Sequence, residues 1–66
     1  MILNIDKKAD ALYLRLDESR IVESQEVSAG VVLDFDENDQ VVGVEILHLS
    51  RRTPGLNLEE LQYRTA

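Results

Sequence analysis

One stretch of the chain carries acidic and amide side chains at the spacing of a calcium-binding loop. The residues are Asp34, Asp36, Asn38 and Glu45, which fall on positions 1, 3, 5 and 12 of such a loop. Position 6, where the sharp turn requires glycine, is Asp39, and the flanking segments alternate like strands where that motif needs helices. A plain acidic turn is therefore the favoured interpretation, and cation binding is kept as the alternative.

Support for catalysis is weaker. His48 is the only histidine, which excludes a multi-histidine metal site. As a general base it would have no obvious partner residue. Ser28, Ser50 and Thr53 are candidate nucleophiles, but no glycine-framed nucleophile turn and no assignable triad accompanies them. The sequence therefore assigns no catalytic, cofactor-binding or metal-binding residue, and we expect a protein that is not an enzyme.

Two pairs of residues are candidates for contact with a partner. Tyr13 and Arg15 lie on the polar side of an alternating strand, where they either anchor another protein or, as we favour, lie across their own sheet. Arg51 and Arg52 follow the last predicted strand and are candidates for an anion or an acidic patch, including the acidic turn of another copy. A solvated pair is the simpler interpretation, because isolated surface ion pairs contribute only about 0–1 kcal/mol.

The composition is that of a small acidic domain. Its 66 residues include 13 acidic and 7 basic side chains, for a formal net charge of −6, and no cysteine. This charge repels phosphate backbones, so we expect no direct nucleic-acid binding. No basic leader precedes an apolar core and no apolar run approaches the ~18 residues of a membrane span, which predicts a soluble cytoplasmic protein without membrane contact. A domain this small buries only ~60% of its unfolded surface, so we expect oligomerisation or a partner to supplement its stability.

The strands that must position these residues are visible as period-2 alternation. The central feature is a hairpin in residues 30–47, whose polar connector at 37–40 has turn chemistry. Further strands are predicted at Ile2–Ile5, Ala11–Leu16 and Ile21–Val27, and the last is polar enough to be an edge strand. Every connection is too short for a parallel crossover, so the sheet is expected to be mostly antiparallel.

The pattern changes after the hairpin. Residues 48–52 are predicted to continue the last strand, and the Thr-Pro-Gly sequence at 53–55 then ends regular structure. Asn57 and Glu60 have the spacing of a capping box, which predicts a short helix at about residues 58–63.

Together these elements predict an α+β fold, a small and mostly antiparallel β-sheet of four or five strands with a short C-terminal helix. Residues 1–52 form the sheet domain, and residues 53–66 form a C-terminal segment that carries the helix. A two-turn helix can hardly cover the apolar face of such a sheet, so we expect this face or an edge strand to form a homodimer or a heteromeric complex. The residues of this face are Leu12, Leu14, Leu33, Phe35, Val44 and Ile46.

Three segments of the chain form an ordered series. Residues 5–16 (IDKKADALYLRL) place an Ala-Asp pair in a turn before an alternating Leu-Tyr strand, residues 26–36 follow, and residues 42–47 (VGVEIL) close the series. This series resembles the domain-of-unknown-function 2283 (DUF2283) family of small prokaryotic proteins, whose signature includes Gly-(Ile/Val)-Glu-Ile-Leu. The connector departs from the family pattern at Asp39 and Gln40, where glycine is expected. The resemblance implies a compact β-rich domain without an assigned activity.

The leading hypothesis is a small interaction module that self-associates and binds a protein partner through an acidic surface. We expect the partner to be a small basic protein, and small size and acidity suggest an antitoxin-like role. The acidic residues at the hairpin tip are Asp34, Asp36, Glu37 and Asp39. The alternative hypothesis is a small-ligand or cation-binding protein that uses the Asp34 to Glu45 hairpin.

Overall fold

The computed structural model describes all residues from Met1 to Ala66 as one sheet followed by a short helix. The strands are β1 (Ile2–Asp6), β2 (Ala11–Arg15), β3 (Glu23–Ser28), β4 (Val31–Phe35) and β5 (Val41–Ile46), and the helix is α1 (Leu49–Arg52). Neighbouring strands are antiparallel throughout, in the order β1-β2-β5-β4-β3. The predicted α+β class, with an antiparallel sheet and a short C-terminal helix, is confirmed. A four-residue helix falls far short of a membrane crossing, and the chain has no other helix.

Strand β5 occupies the centre of the sheet, between β2 and β4. Its pairing with β4 is the predicted hairpin, and Asp39 supplies the left-handed residue of the turn, with φ of 62°. A bulge near this turn carries Val42, whose side chain is only 1% exposed. The pairing of β2 with β5 is the only one between strands that are not consecutive in the chain. It joins the β1–β2 hairpin to the β3–β4–β5 meander.

Strand β3 lies at one edge of the sheet, as its polar sequence predicts. It begins at Glu23, two residues later than the predicted strand, and all six of its residues are exposed. A second irregularity in the register lies between Glu26 and Ser28. Exposed charges and a bulge are devices that limit unwanted pairing of a free edge.

The helix is not where the sequence predicts it. Residues 58–63 contain only a turn. Asn57 accepts a hydrogen bond at Oδ1 from the N–H of Glu59 (3.0 Å), as a helix cap would, but no helix follows. A helix that short persists only when it docks on apolar surface, and the side chain of Leu61 is 70% exposed. Residues 48–52, predicted to extend the strand, contain α1 instead, because His48 adopts a left-handed conformation (φ 57°) that ends the strand. Both predictions are wrong.

Asp10 holds α1 against the β1–β2 turn. Its carbonyl oxygen accepts a hydrogen bond from the N–H of Leu49 (2.9 Å). Its carboxylate accepts hydrogen bonds from the N–H of Ser50 (3.1 and 3.2 Å) and from the Ser50 hydroxyl (2.7 Å). Leu49, the first residue of the helix, is thereby buried. Asp10 has φ of 56°, a left-handed conformation that aspartate tolerates better than most residues.

Substitution of Asp10 is therefore expected to loosen α1. Asp10→Ala should lower the free energy of unfolding by about 1–2 kcal/mol, because it removes the carboxylate that caps the helix and places alanine at positive φ. Asp10→Asn keeps an acceptor oxygen and the tolerance for positive φ, so it should retain most of the stability. Urea unfolding followed by circular dichroism measures both variants, and equal losses in the two would contradict the capping role.

Candidate interaction surface

The two faces of the sheet differ in polarity. Cross-strand register aligns apolar residues of β1, β2, β5 and β4 in two adjacent rows on the same face. This apolar face comprises the six residues predicted from the sequence together with three more. Its members are Leu3, Ile5, Leu12, Leu14, Val31, Leu33, Phe35, Val44 and Ile46.

None of these nine residues is buried, although Val42, which alternates with Gly43 toward the same side as Val44, is 1% exposed at the bulge. Eight of the nine are half-buried, and Ile5 is 37% exposed. The buried apolar side chains of the whole chain are Ala11, Val42 and Leu49, all outside this set. Stable domains pack such a face against a second layer of structure. Here α1 is too short to supply that layer, and only the end of the chain approaches the face.

The C-terminal tail, defined here as residues 57–66, lies loosely near β1 and β2. A cleft of about 590 Å³ separates it from the sheet and is lined by Met1, Leu3, Leu12, Leu14, Leu61, Gln62 and Tyr63. The side chains of Leu61 and Tyr63 are 70% and 73% exposed, so the tail does not seal the face. An ion pair between Lys7 and Glu59, both exposed, joins the tail to the β1–β2 turn. The half of the apolar face on β4 and β5 has no covering segment.

The opposite face carries a polar cluster of Tyr13, Ser24 and Asp34. Register places these three residues on β2, β3 and β4. The Tyr13 hydroxyl donates a hydrogen bond to Oδ2 of Asp34 (2.6 Å), and the Ser24 hydroxyl donates to Oδ1 (2.6 Å). Asp34 is only 8% exposed, so these two donors compensate for the burial of its carboxylate. The polar cluster therefore ties β2, β4 and β3 together across the face.

Gly43 makes room for the polar cluster on the central strand. A Cβ atom at this position would lie 2.5 Å from the Tyr13 hydroxyl oxygen and 2.8 Å from Oδ2 of Asp34. Real Cβ atoms essentially never approach other atoms that closely. The hydrogen bond between Tyr13 and Asp34 thus passes directly over a residue without a side chain.

The Tyr13 phenol should titrate at unusually high pH. Its pKa is raised above the ordinary value of 10.0, first by the hydrogen bond to Asp34 and then by burial. The neutral phenol is favoured in the folded state, so its contribution to stability is present below about pH 10 and is lost as the pH rises through the folded pKa. In a Tyr63→Phe variant, tyrosinate absorbance reports Tyr13 alone and should show a midpoint above 10.0. Adding Asp34→Asn should move that midpoint down, and a midpoint that stays in place would contradict the role of the carboxylate.

Arg15, the predicted companion of Tyr13 as a partner anchor, is engaged within its own chain. Its guanidinium donates hydrogen bonds to the carbonyl oxygens of Asp17 and Ser19. The Asp17 carboxylate in turn accepts a hydrogen bond from the N–H of Ser19 (2.8 Å), and this bond is the main reason that the Asp17 pKa is lowered. The interpretation that Tyr13 and Arg15 lie across their own sheet is therefore the one that fits the structure.

The residues with calcium-loop spacing do not converge on one point. Asp34 lies within β4, where both of its carboxylate oxygens accept hydrogen bonds from the polar cluster. One carboxylate oxygen of Asp36 accepts hydrogen bonds from the backbone N–H groups of Asn38 and Gln40 (both 2.9 Å), and these bonds close the turn. Glu45 lies opposite Val32, two residues along the ladder from the Asp34 position. No group of three or more potential ligands is close enough to hold a metal ion.

The arginine pair lies in α1 at the other end of the sheet. Arg52 donates from Nη1 to the carbonyl oxygen of Ala29 (2.8 Å), and Arg51 donates from Nη2 to Nδ1 of His48 (2.9 Å). With Glu26 and Gly30, these residues line an open cleft beside the β3–β4 turn. His48 thus holds the guanidinium of Arg51 in place within this cleft.

Three structurally important residues are not assigned a role by the sequence pattern. Ser24 lies in the segment predicted as a polar edge strand, and only the β3–β4 register brings it opposite Asp34. Gly43 carried a usable signal, because an isolated glycine inside a strand often marks the close approach of another group. Asp10 likewise sits in the Ala-Asp pair that the sequence singled out, yet its partner Ser50 is forty residues away.

Comparison with known proteins adds one match. A family model described as a protein of unknown function, DUF2283, matches residues 3–50, well over half of the chain. The chain belongs to the DUF2283 family. The DUF2283 match covers the sheet and the start of α1, and it leaves out the C-terminal tail. No curated protein and no solved structure matches the chain.

Proposed function

We propose that this DUF2283 chain is a small interaction module that self-associates through its apolar face. The observation that carries the proposal is the uncovered half of that face on β4 and β5, where Val31, Leu33 and Val44 lie half-buried without a second layer. Apolar patches of this kind on small domains mark interaction sites. A second copy supplies a surface of matching shape and polarity, and closed two-fold dimers are the commonest oligomers.

The surface area supports a second copy as the occupant. The chain exposes 5220 Å², whereas a compact monomer of 7.5 kDa is expected to expose about 4,200 Å². The Cα radius of gyration is 12.8 Å, compared with about 11 Å for a compact domain of this length. Both the exposed tail and the half-buried apolar face contribute to these excesses.

Molar mass tests the proposal directly. Light scattering over a dilution series should give twice the chain mass at high concentration and a reversible fall toward the chain mass on dilution. The Leu61→Ser/Tyr63→Ser variant is the matched control for the tail, and it should leave the dimer in place if β4 and β5 form the contact. A chain mass that stays monomeric at the highest concentrations would contradict self-association.

The acidic surface supports a second part of the proposal, the binding of a small basic protein in an antitoxin-like manner. Strand β3 presents Glu23 and Glu26 on a fully exposed edge, and the formal net charge of the chain is −6. Complementary charge accelerates and orients association, and salt screens it. A tagged chain should retain a small basic protein at low salt and release it at high salt, and a Glu23→Gln/Glu26→Gln variant should retain less. If the amount of basic protein retained changes neither with salt nor with these substitutions, the acidic surface is not the binding site.

The cation-binding alternative has less support. A cation at the Asp34 to Glu45 hairpin would have to displace the donors that already occupy the Asp34 carboxylate. A calcium titration distinguishes the two proposals, because an ion that binds only the folded state must raise the melting temperature.

A further inference from the structure

The two edge strands of the sheet differ in how they are protected. Strand β3 is fully exposed, carries Glu23 and Glu26, and has a shift in its register next to Glu26. Strand β1, at the opposite edge, pairs with β2 in an unbroken register over all five of its residues. It contains neither lysine nor proline, and its one charged residue, Asp6, is the last. Strand β1 therefore lacks the devices that normally prevent a free edge from pairing with another chain.

The register shows which backbone groups of β1 point away from the sheet. Just after β2, the N–H of Leu16 donates a hydrogen bond to the carbonyl oxygen of Val42 on β5 (2.8 Å). Alternate residues of an antiparallel strand bond to opposite neighbours, so the odd-numbered residues of β2 bond to β1. Among them, Tyr13 lies opposite Asn4. The backbone groups of Asn4 therefore point inward, and those of the residues on either side of it point to the open edge.

These two residues are Leu3 and Ile5. Strand β2 is the only neighbour of β1 in the sheet, and no backbone hydrogen bond joins β1 to the tail, so the outward N–H and C=O groups of both residues have no backbone partner. Their side chains lie on the apolar face, where Leu3 is half-buried and Ile5 is 37% exposed. The edge thus presents four backbone hydrogen-bonding groups along an apolar border. This is the surface to which an extended peptide adds as a further strand.

We propose that β1 binds an extended segment of another protein, which joins the sheet as a sixth strand. Apolar side chains of the segment lie beside Leu3 and Ile5, and polar side chains lie beside Asn4, so its residues alternate as those of β1 do. A basic residue opposite Asp6 completes the match. The partner is thus recognised mainly by its backbone, and its alternating side chains supply the specificity.

The net charge of the chain favours such a segment over a second copy. Each copy carries a formal charge of −6. An edge contact supplies only a few hydrogen bonds and little apolar area, so repulsion between two chains of like charge opposes it. A segment that is neutral or basic meets no such repulsion. The inference uses a different surface from the proposed self-association and does not depend on it.

A matched pair of peptides tests the edge. The probe, acetyl-Lys-Val-Thr-Val-Thr-amide, aligns antiparallel to β1 so that its lysine lies opposite Asp6 and its valines lie opposite Ile5 and Leu3. The control peptide has the same sequence and charge but is N-methylated at both valines, which removes the N–H groups that face β1. In a titration of the isotope-labelled chain followed by NMR, the probe should shift the amide resonances of Leu3 and Ile5 most. The control should bind at least about tenfold more weakly, because two hydrogen bonds are lost.

Several results would overturn the proposal. Equal affinity for the two peptides would show that charge or apolar attraction explains the binding, and no binding of either would show that the edge is closed. Shifts centred on Glu23–Ser28 or on the apolar face would place the peptide elsewhere. If the Leu3 and Ile5 resonances instead move with chain concentration in the absence of peptide, a second copy occupies the edge. A chain that stays monomeric in light scattering removes self-association but leaves this proposal in place.

Discussion

Gly43→Ala is expected to lower the free energy of unfolding by about 1–3 kcal/mol. The added Cβ would meet the Tyr13 hydroxyl at 2.5 Å and the Asp34 carboxylate at 2.8 Å, so the hydrogen bond between them must lengthen or the strands must shift. Elsewhere in a strand the same substitution would gain about 0.5–1 kcal/mol, because glycine has excess conformational freedom in the unfolded chain. A loss of stability would therefore show that the site is crowded, whereas a gain would show that it is not. Chemical denaturation measures the change in the free energy of unfolding.

A double-mutant cycle isolates the crowded contact. Tyr13→Phe removes the nearest oxygen, so Gly43→Ala should cost less in the Tyr13→Phe background than in the wild type. The carboxylate of Asp34 remains close to the new Cβ, and relief should therefore be partial. Strictly additive losses would show that the Tyr13 hydroxyl does not set the requirement for glycine.

Val44→Lys should convert the proposed dimer to a monomer. Val44 lies on the apolar face of the central strand, opposite Leu14 on one side and Leu33 on the other. A lysine here places an unpaired ammonium group in the proposed interface, and the desolvation penalty should raise the dissociation constant at least about a hundredfold. Light scattering at increasing concentration measures the shift.

Val32→Lys is the matched control for this substitution. Val32 is also half-buried on a neighbouring inner strand, but it faces the opposite side of the sheet, between Glu26 and Glu45. The same change of residue at this position should leave the proposed dimer intact, since both cross-strand neighbours are acidic. A dimer that survives Val44→Lys, or that dissociates equally in both variants, would exclude the apolar face as the contact.

The alternation of side chains was sufficient to predict the sheet. The pairing register of two strands depends on which residues share a face. Only one register of the β4–β5 hairpin places the apolar residues of both strands on the same face. The edge position of β3 was predictable from its polar and charged residues, which are typical of a free strand edge. What the sequence could not provide was the pairing of β2 with β5, because that contact depends on the packing of whole strands and not on a local pattern.

The errors at the C-terminal end have a different origin. Asn57 and Glu60 satisfy the spacing rule for a helix start, but a cap cannot stabilise a short helix whose apolar residues stay undocked, and Leu61 is 70% exposed. Conversely, α1 forms over a segment without a capping residue at its start, because Asp10 reaches it from another part of the chain. The polar cluster was missed for a similar reason, since the partner residues of Asp34 lie on different strands.

The single pairing between β2 and β5 has a consequence for how the chain folds. The β1–β2 hairpin and the β3–β4–β5 meander each join strands that are neighbours in sequence, so both can form early at low entropic cost. Closing β2 onto β5 requires the whole meander to be in place and brings together residues that are far apart in the chain. We expect this seam to form last on the folding pathway and to open first in native-state hydrogen exchange.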